Sequence, residues 1–228
     1  MTTVITLDGP SGSGKSALSV MLSKYFGFDI LDSGMIYRLF AHQYICDEID
    51  DVKVLEIANK MPYNYMRFKV VGERVKLFIN EKACDEEIYS EYVGTKASKL
   101  SKYEIVRKSL LPAQRELKFD AGLIANGRDM GTTVFPDATI KFYITANSDV
   151  RAKRRYQQSF KVNPANKKKS VKDLMHLMKE RDSLDAKRNV SPLKPAEDAI
   201  PIDNSNLDLP ETFQVVLAHI NENIESSS

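Results

Sequence analysis

The chain predicts an α/β fold: a five-stranded parallel sheet with helices on both faces, a glycine-rich turn at its carboxyl edge, a small inserted lobe containing a β-hairpin, and a lid. Three observations carry this expectation. Short β-branched or apolar runs near residues 2–7, 28–31, 122–125, 139–145 and 199–203 alternate with stretches of helical periodicity, the pattern of a parallel sheet covered on both sides. Between the first strand and the first helix, Gly9-Pro10-Ser11-Gly12-Ser13-Gly14-Lys15-Ser16 fits the template G-x-x-x-x-G-K-[ST] at every fixed position. From 65 to 84 the apolar period changes to two, which breaks the strand–helix alternation.

The elements follow in order. Val4-Ile5-Thr6-Leu7 has the β-branched, apolar texture of a buried parallel strand. Ala17, Leu18, Met21, Leu22, Tyr25 and Phe26 recur at helical spacing, so a helix begins near Lys15. A second strand at 28–31 ends at Asp32-Ser33-Gly34, and Met35, Ile36, Leu39, Phe40 and Tyr44 mark the helix after it. An acidic loop at 47–51 precedes a short helix at 52–60. Met66, Phe68 and Val70 answer Val75, Leu77 and Ile79 across Val71-Gly72-Glu73-Arg74, a hairpin. It forms the heart of an inserted lobe at 61–101, with 1–60 and 102–228 as the main body; a hairpin on the edge of the main sheet is the alternative. A helix at 103–118 should kink or restart at Pro112. Leu123-Ile124-Ala125 then delivers Asn126-Gly127-Arg128-Asp129 from a strand end. A strand at 139–145, a helix from Ser148, a long helix at 170–187, an edge strand containing Pro201 and a final helix opened by Pro210-Glu211 complete the chain.

Bulk properties narrow the function classes. The 228 residues suffice for one well-buried core with an inserted lobe. A net charge of +2 gives no global field to recruit nucleic acid or an anionic membrane. There is no apolar run of transmembrane length and no signal-peptide pattern, and Cys46 and Cys84 are the only cysteines, so a reducing cytoplasm is expected. His42, His176 and His219 are scattered, without metal-ligand spacing, and read as packing or surface residues.

The residue types indicate phosphate chemistry. Glycines at 9, 12 and 14 let backbone N–H groups close on an anion at a helix N-terminus. Lys15 adds a point charge for the β- and γ-phosphates, and the Ser16 hydroxyl suits Mg²⁺. In parallel sheets ligands sit beyond the strand carboxyl ends, where residues 11–15, 32–33, 127–129 and the segment after 148 should converge. Arg38 and Arg128 follow strand ends closely. Arg181, Asp185 and Arg188 stand at i, i+4 and i+7 and share one face if the helix persists to 188, although such spacing usually marks a weak surface ion pair. Residues 151–169 hold eight Lys/Arg and no Asp/Glu. A solvated face or a nucleic-acid patch are the rival readings, but Tyr156 and Phe160 are thin provision for base stacking. Placed near the triphosphate, the segment suits a lid at about 155–170 that closes on ATP.

Four blocks, GPSGSGKS at 9–16, LDSGMIYR at 31–38, GRDMGTTVFPDA at 127–138 and ERDSLDAKRNVSPL at 180–193, resemble bacterial-type cytidylate kinases in order and spacing. The resemblance implies a P-loop nucleoside-monophosphate kinase with a core, an NMP-binding insert and a lid, converting ATP and CMP or dCMP to ADP and CDP or dCDP with Mg²⁺. By position it implies that residues 9–17, ending at Ala17, bind the ATP phosphates. Arg38 and Arg128 clamp the CMP phosphate. Ser33, Arg107, Asp129 and Arg188 surround the cytosine, and Ser98, Arg181 and Asp185 lie near the sugar. Phosphoryl transfer needs positioning and charge neutralisation, and Lys15, Arg128, Arg151 and Arg155 are the expected transition-state stabilisers. Asn126 stands where the family usually has an acid, and Ala17 where Thr is frequent. Metal binding is therefore expected to lean on Ser16 and Asp32. The partners expected are ATP and CMP or dCMP, with no nucleic acid and no membrane, for a monomer. The alternatives are a P-loop kinase for UMP, AMP or shikimate, a GTP switch, or a nucleic-acid-binding P-loop protein. The switch reading lacks N-K-x-D: Asn59-Lys60-Met61-Pro62 and Asn166-Lys167-Lys168-Lys169 both miss the aspartate.

Overall fold

The computed structural model describes residues 2–44, 48–117, 121–162, 170–188 and 190–225. In chain order the elements are β1 (Thr3–Asp8), α1 (Lys15–Phe26), β2 (Asp29–Asp32), α2 (Ser33–Gln43), α3 (Asp51–Lys60), β3 (Met66–Val71), β4 (Arg74–Ile79) and β5 (Lys82–Ala83). They continue with α4 (Glu91–Leu100), α5 (Glu104–Arg115), β6 (Gly122–Asn126), β7 (Ile140–Thr145), α6 (Ser148–Val162), α7 (Val171–Ala186), β8 (Ile200–Asp203) and α8 (Leu209–Glu225).

Five strands form a parallel sheet in the order β2-β6-β1-β7-β8. The phosphate-loop strand β1 is central, and β8 takes the edge that Pro201 requires. Alternation along β6 shows that both faces are covered. Leu123 and Ala125 join a cluster with Leu31, Ile36, Phe40 and Leu110, while Ile124 joins Leu7, Leu18, Phe142, Val216 and Ile220. The carboxyl ends of β1, β2 and β6 therefore open onto one rim, fixed from beneath by two apolar layers.

The hairpin does not extend the main sheet. β3, β4 and β5 make a separate antiparallel sheet, so the edge-strand alternative fails. Val75 packs against Val20 and Ile30, and Met66, Leu77, Ile88, Val93 and Ala97 share the cluster containing α2 and α5. Segment 61–101 is thus bound to the main body by a continuous core. α4 lies within it, a helix that the sequence pattern did not disclose.

The helix expected at 103–118 does not restart at Pro112: α5 runs through it as a single element to Arg115, with Val106, Leu110 and Ala113 anchoring both sides of the proline in the core. α7 ends at Ala186, so Arg188 lies beyond the helix and does not occupy its i+7 position. Residues 163–169 of the expected lid lie outside the described residues, as does Cys46. No described helix is long and apolar enough to cross a membrane.

Candidate active site

The glycine turn is held by sterics on one side and a lysine on the other. Gly9 has φ +141°, and a Cβ there would lie 2.0 Å from the Ile144 carbonyl oxygen, so no larger residue fits beside β7. Lys15 is buried and its Nζ donates back to Pro10 O at 2.7 Å and Ser13 Oγ at 3.1 Å, closing the loop on itself. Burial holds its ammonium well below the ordinary lysine range, and Arg128 adds to that effect. Asp8, Asp32 and Asp182 oppose it. A phosphate arriving at the N-terminus of α1 would supply the counter-charge that this buried ammonium lacks.

Three further segments brace the loop. Asn204, just after β8, donates Nδ2 to Ser13 O at 2.9 Å. Asp182 on α7 accepts the Ser11 N–H at 3.3 Å and pairs with Arg151. Arg151 on α6 also donates to Ser11 O at 3.0 Å and Ala146 O at 2.9 Å. Arg151, expected among the transition-state stabilisers, therefore grips the loop rim directly. Arg155, one turn further along α6, is half-buried. Arg154 instead spends its donors on Asn204 Oδ1, Asn204 O and Leu207 O, each at 2.9 Å, a structural tie to the segment after β8.

Asn126 joins the two sides of the rim. Its Nδ2 donates to Ser16 Oγ at 3.0 Å and to Asp32 Oδ2 at 3.1 Å. Ser16 and Asp32 offer hard oxygen donors on either side of it, a set that suits a hydrated Mg²⁺ held mainly by phosphates. Burial raises the Asp32 pKa, against the pull of Arg38, Arg128 and Lys15. Those three cations thus act on one carboxylate, although they come from α2, the turn after β6, and the glycine loop.

Beyond Asp32 lies a second polar cluster. Arg107 on α5 forms a buried ion pair with Asp129, and its guanidinium lies over the Tyr37 ring at 5.5 Å from the centroid. Burial pushes the Tyr37 hydroxyl up to about 12. Asp185 accepts from Arg128 Nε at 3.1 Å and pairs with Arg188, which also donates to Ser101 Oγ at 2.8 Å. Burial lowers the Arg188 pKa, and Asp185 restrains the fall. Ser33 Oγ donates to Gln114 Oε1 at 2.6 Å. Arg38 donates to Ile88 O at 2.9 Å and Ser90 O at 2.8 Å. It passes so close to Gly94 that a Cβ there would stand 2.4 Å from Nη2, which explains a glycine inside α4. The side chain of Arg181 lies outside those described.

Five buried side-chain atoms have no hydrogen-bond partner among the described residues: Thr6 Oγ1, Ser98 Oγ, Arg107 Nε, Thr132 Oγ1 and Arg188 Nε. Three of the five belong to residues expected around the acceptor nucleotide. Native interiors leave few such groups unpaired, so their concentration here marks a place built for a polar ligand.

The loop after β6 is positioned by a residue the sequence reading passed over. Asp8, at the end of β1, accepts the N–H of Met130 and of Gly131, each at 2.8 Å. Those two contacts begin a π turn, Met130–Val134, closed by Phe135 N–H on Met130 O at 2.7 Å, directly after Arg128 and Asp129. Burial pushes the Asp8 carboxyl up to about 6, despite the two N–H donors. Its only sequence signal is adjacency to Gly9. Gln114, Asp182 and Asn204 carry no comparable signal, because their partners lie 81, 171 and 191 residues away.

A family model described as Cytidylate kinase matches residues 5–224. The cytidylate kinase of Aeromonas salmonicida (strain A449) is 37% identical over 235 residues, which cover 100% of this chain and 98% of that one. That of Shewanella sp. (strain W3-18-1) is 37% identical over 231 residues, covering 99% and 97%. That of Vibrio vulnificus (strain CMCP6) is 37% identical over 219 residues, covering 96% of each. With a family model spanning nearly its whole length and full-length relatives at this identity, the chain belongs to the cytidylate kinase family.

Proposed function

We propose that this chain transfers the γ-phosphoryl group of ATP to CMP or dCMP, producing ADP and CDP or dCDP. The observation that supports the reading best is the junction at the half-buried Asp32: Asn126 ties its carboxylate to Ser16 at the start of α1, and the charges of Arg38, Arg128 and Lys15 all act on it. Two anion-binding surfaces, one from the glycine loop and one from strand-end arginines, abut there, as an in-line transfer between two phosphates requires.

In this reading residues 9–17 cradle the ATP phosphates, and Ser16 would hold Mg²⁺, which when bound would supply positive charge against the transferring group. Arg38 and Arg128 hold the CMP phosphate, with Arg38 exchanging its present carbonyl partners for phosphate oxygens. Ser33, Arg107, Asp129 and Arg188 surround the cytosine, while Ser98, Arg181 and Asp185 lie toward the sugar. Cytosine presents an N4 amine donor, which Asp129 and Ser33 accept. Its N3 and O2 acceptors meet guanidinium donors, whose fork geometry suits them. Uracil places a carbonyl where cytosine has its amine, facing the Asp129 carboxylate, and is disfavoured. The acceptor phosphate attacks already ionised, so no covalent nucleophile is needed. Lys15, Arg128, Arg151 and Arg155 stabilise the charge that spreads over the transferring oxygens. Segment 61–101 serves as the NMP-binding lobe and residues 155–170 as a lid, and the protein works as a cytoplasmic monomer without nucleic acid or membrane.

A coupled assay of ADP formation across CMP, dCMP, UMP, AMP, GMP and shikimate tests the reading. CMP or dCMP is expected to give the highest kcat/KM. Faster turnover of AMP, UMP or shikimate overturns it.

A further inference from the structure

Gln114 stands two turns after Arg107 on α5 and is buried. Its Nε2 donates to Leu110 O at 3.1 Å, one turn back in its own helix, and its Oε1 accepts from Ser33 Oγ at 2.6 Å. The two contacts fix each other. A carbonyl oxygen has no proton to give, so the amide atom facing Leu110 O is the NH₂ group. The atom facing Ser33 is then the amide oxygen, which can only accept. Ser33 has one hydroxyl proton, and it is committed to Gln114.

A serine hydroxyl free to rotate offers a donor or an acceptor as its partner demands. Tied to Gln114, Ser33 presents only lone pairs to whatever else it meets. Gln114 is buried on the same helix as Arg107, whose guanidinium lies over the Tyr37 ring and pairs with Asp129, so the amide belongs to the same buried layer as that ion pair.

We propose that Gln114 is a specificity-determining positioning residue: by taking the Ser33 proton it makes Ser33 an obligate acceptor, which admits an amine at ring position 4 of the pyrimidine and rejects a carbonyl. The inference rests on the cytidylate-kinase reading above and deepens it. Gln114 touches no part of the substrate. It acts through the direction of one hydrogen bond, independently of the Asp129 charge, so cytosine is selected by two separate devices. Without Gln114 the Ser33 hydroxyl could turn and donate to uracil O4, relieving one of the two conflicts that UMP meets.

The test is the ratio of kcat/KM for CMP to that for UMP, a quantity from which the fraction of active enzyme cancels. Gln114→Met removes the acceptor with little change in volume, and the ratio is expected to fall about tenfold, the scale of one buried hydrogen bond set against an unpaired group. Gln114→Glu, protonated on the oxygen that faces Leu110 O, still accepts from Ser33 and is expected to keep the ratio within about twofold of the parent. In a Ser33→Ala background, Gln114→Met should leave the ratio within about twofold of Ser33→Ala alone, because the relay it interrupts no longer exists. An unchanged ratio in Gln114→Met overturns the inference. So does an equal fall in Gln114→Glu, or the same tenfold fall when Ser33 is absent, since each assigns Gln114 a role that does not pass through the Ser33 proton. Failure of the parent enzyme to prefer CMP refutes the functional reading itself, whereas a CMP preference that survives Gln114→Met refutes this inference alone.

Discussion

Arg107 and Asp129 form an ion pair whose side chains are only 6% and 5% exposed. Neither charge has water to fall back on, so each depends on the other until a ligand arrives. Removing one partner of such a pair leaves an uncompensated buried charge, a cost of about 3–5 kcal/mol.

Asp129→Ala is therefore expected to lower unfolding stability by about that amount, measured by chemical denaturation, and to reduce turnover with CMP. It should also lower the CMP-to-UMP ratio of kcat/KM, because the carboxylate that repels uracil O4 is gone. A ratio identical to the parent's means that Asp129 holds Arg107 without reading the base.

Lys15→Ala separates the two substrate sites. The ammonium lies on the glycine loop, bonded to Pro10 and Ser13, and among the described residues shares no hydrogen bond with the Arg107–Asp129 pair. Its loss should reduce kcat by about a hundredfold to a thousandfold, as for other pre-placed charges in phosphoryl transfer. CMP affinity by calorimetry should fall by no more than about tenfold, since Lys15 is coupled to Arg38 and Arg128 only through charge at Asp32. Full loss of CMP binding would show that Lys15 organises the acceptor site too.

Asp8 links acidity to stability. Burial pushes its carboxyl up to about 6 in the folded chain from the ordinary aspartate value of 3.8, so between those values the folded state holds a proton that the unfolded state lacks. The contribution of Asp8 becomes more favourable as pH falls through about 6 and stops changing below 3.8. Above about 6 it is a constant cost on the order of 3 kcal/mol. Relative to Asp8→Asn, the parent should gain stability between pH 7 and pH 4, while losing activity as the protonated carboxyl weakens its hold on the Met130 and Gly131 N–H groups. Parallel stability curves for the two proteins contradict this.

Much of this arrangement was legible in the sequence because it is local. The glycine loop, the strand before it and the helix after it lie within one short stretch, and spacing alone specifies them. Ser33, Arg107, Asp129, Asp185 and Arg188 came from the family resemblance, and the structure links them through buried ion pairs and the Ser33–Gln114 contact. What stayed hidden was contact between ordinary residue types far apart in the chain. Gln114 looks like any polar residue on a helix until Ser33 is placed against it. Asp182 was passed over beside Arg181 and Asp185, although it meets both Ser11 and Arg151. α4 escaped notice because Gly94 weakens its helical signal, and the reason for that glycine is Arg38, from another element. Arg188 was placed on a helical face that ends before it, yet its long side chain still reaches Asp185 from the following turn.

Arg151→Lys tests the grip on the loop rim. A lysine cannot serve Ala146 O, Ser11 O and Asp182 together, because its ammonium is a point donor and not a planar fork. The KM for ATP is expected to rise about tenfold with the KM for CMP changed less than about twofold. An equal rise in both places Arg151 in the acceptor site.

The most direct measurement is a crystal structure with CMP and a non-hydrolysable ATP mimic bound together. Cytosine N4 should lie within hydrogen-bonding distance of Ser33 Oγ and the Asp129 carboxylate, with the CMP phosphate on Arg38 and Arg128 and in line with the terminal phosphate over Lys15. A pyrimidine ring bound away from Ser33 and Asp129, or a phosphate that meets neither arginine, contradicts the account.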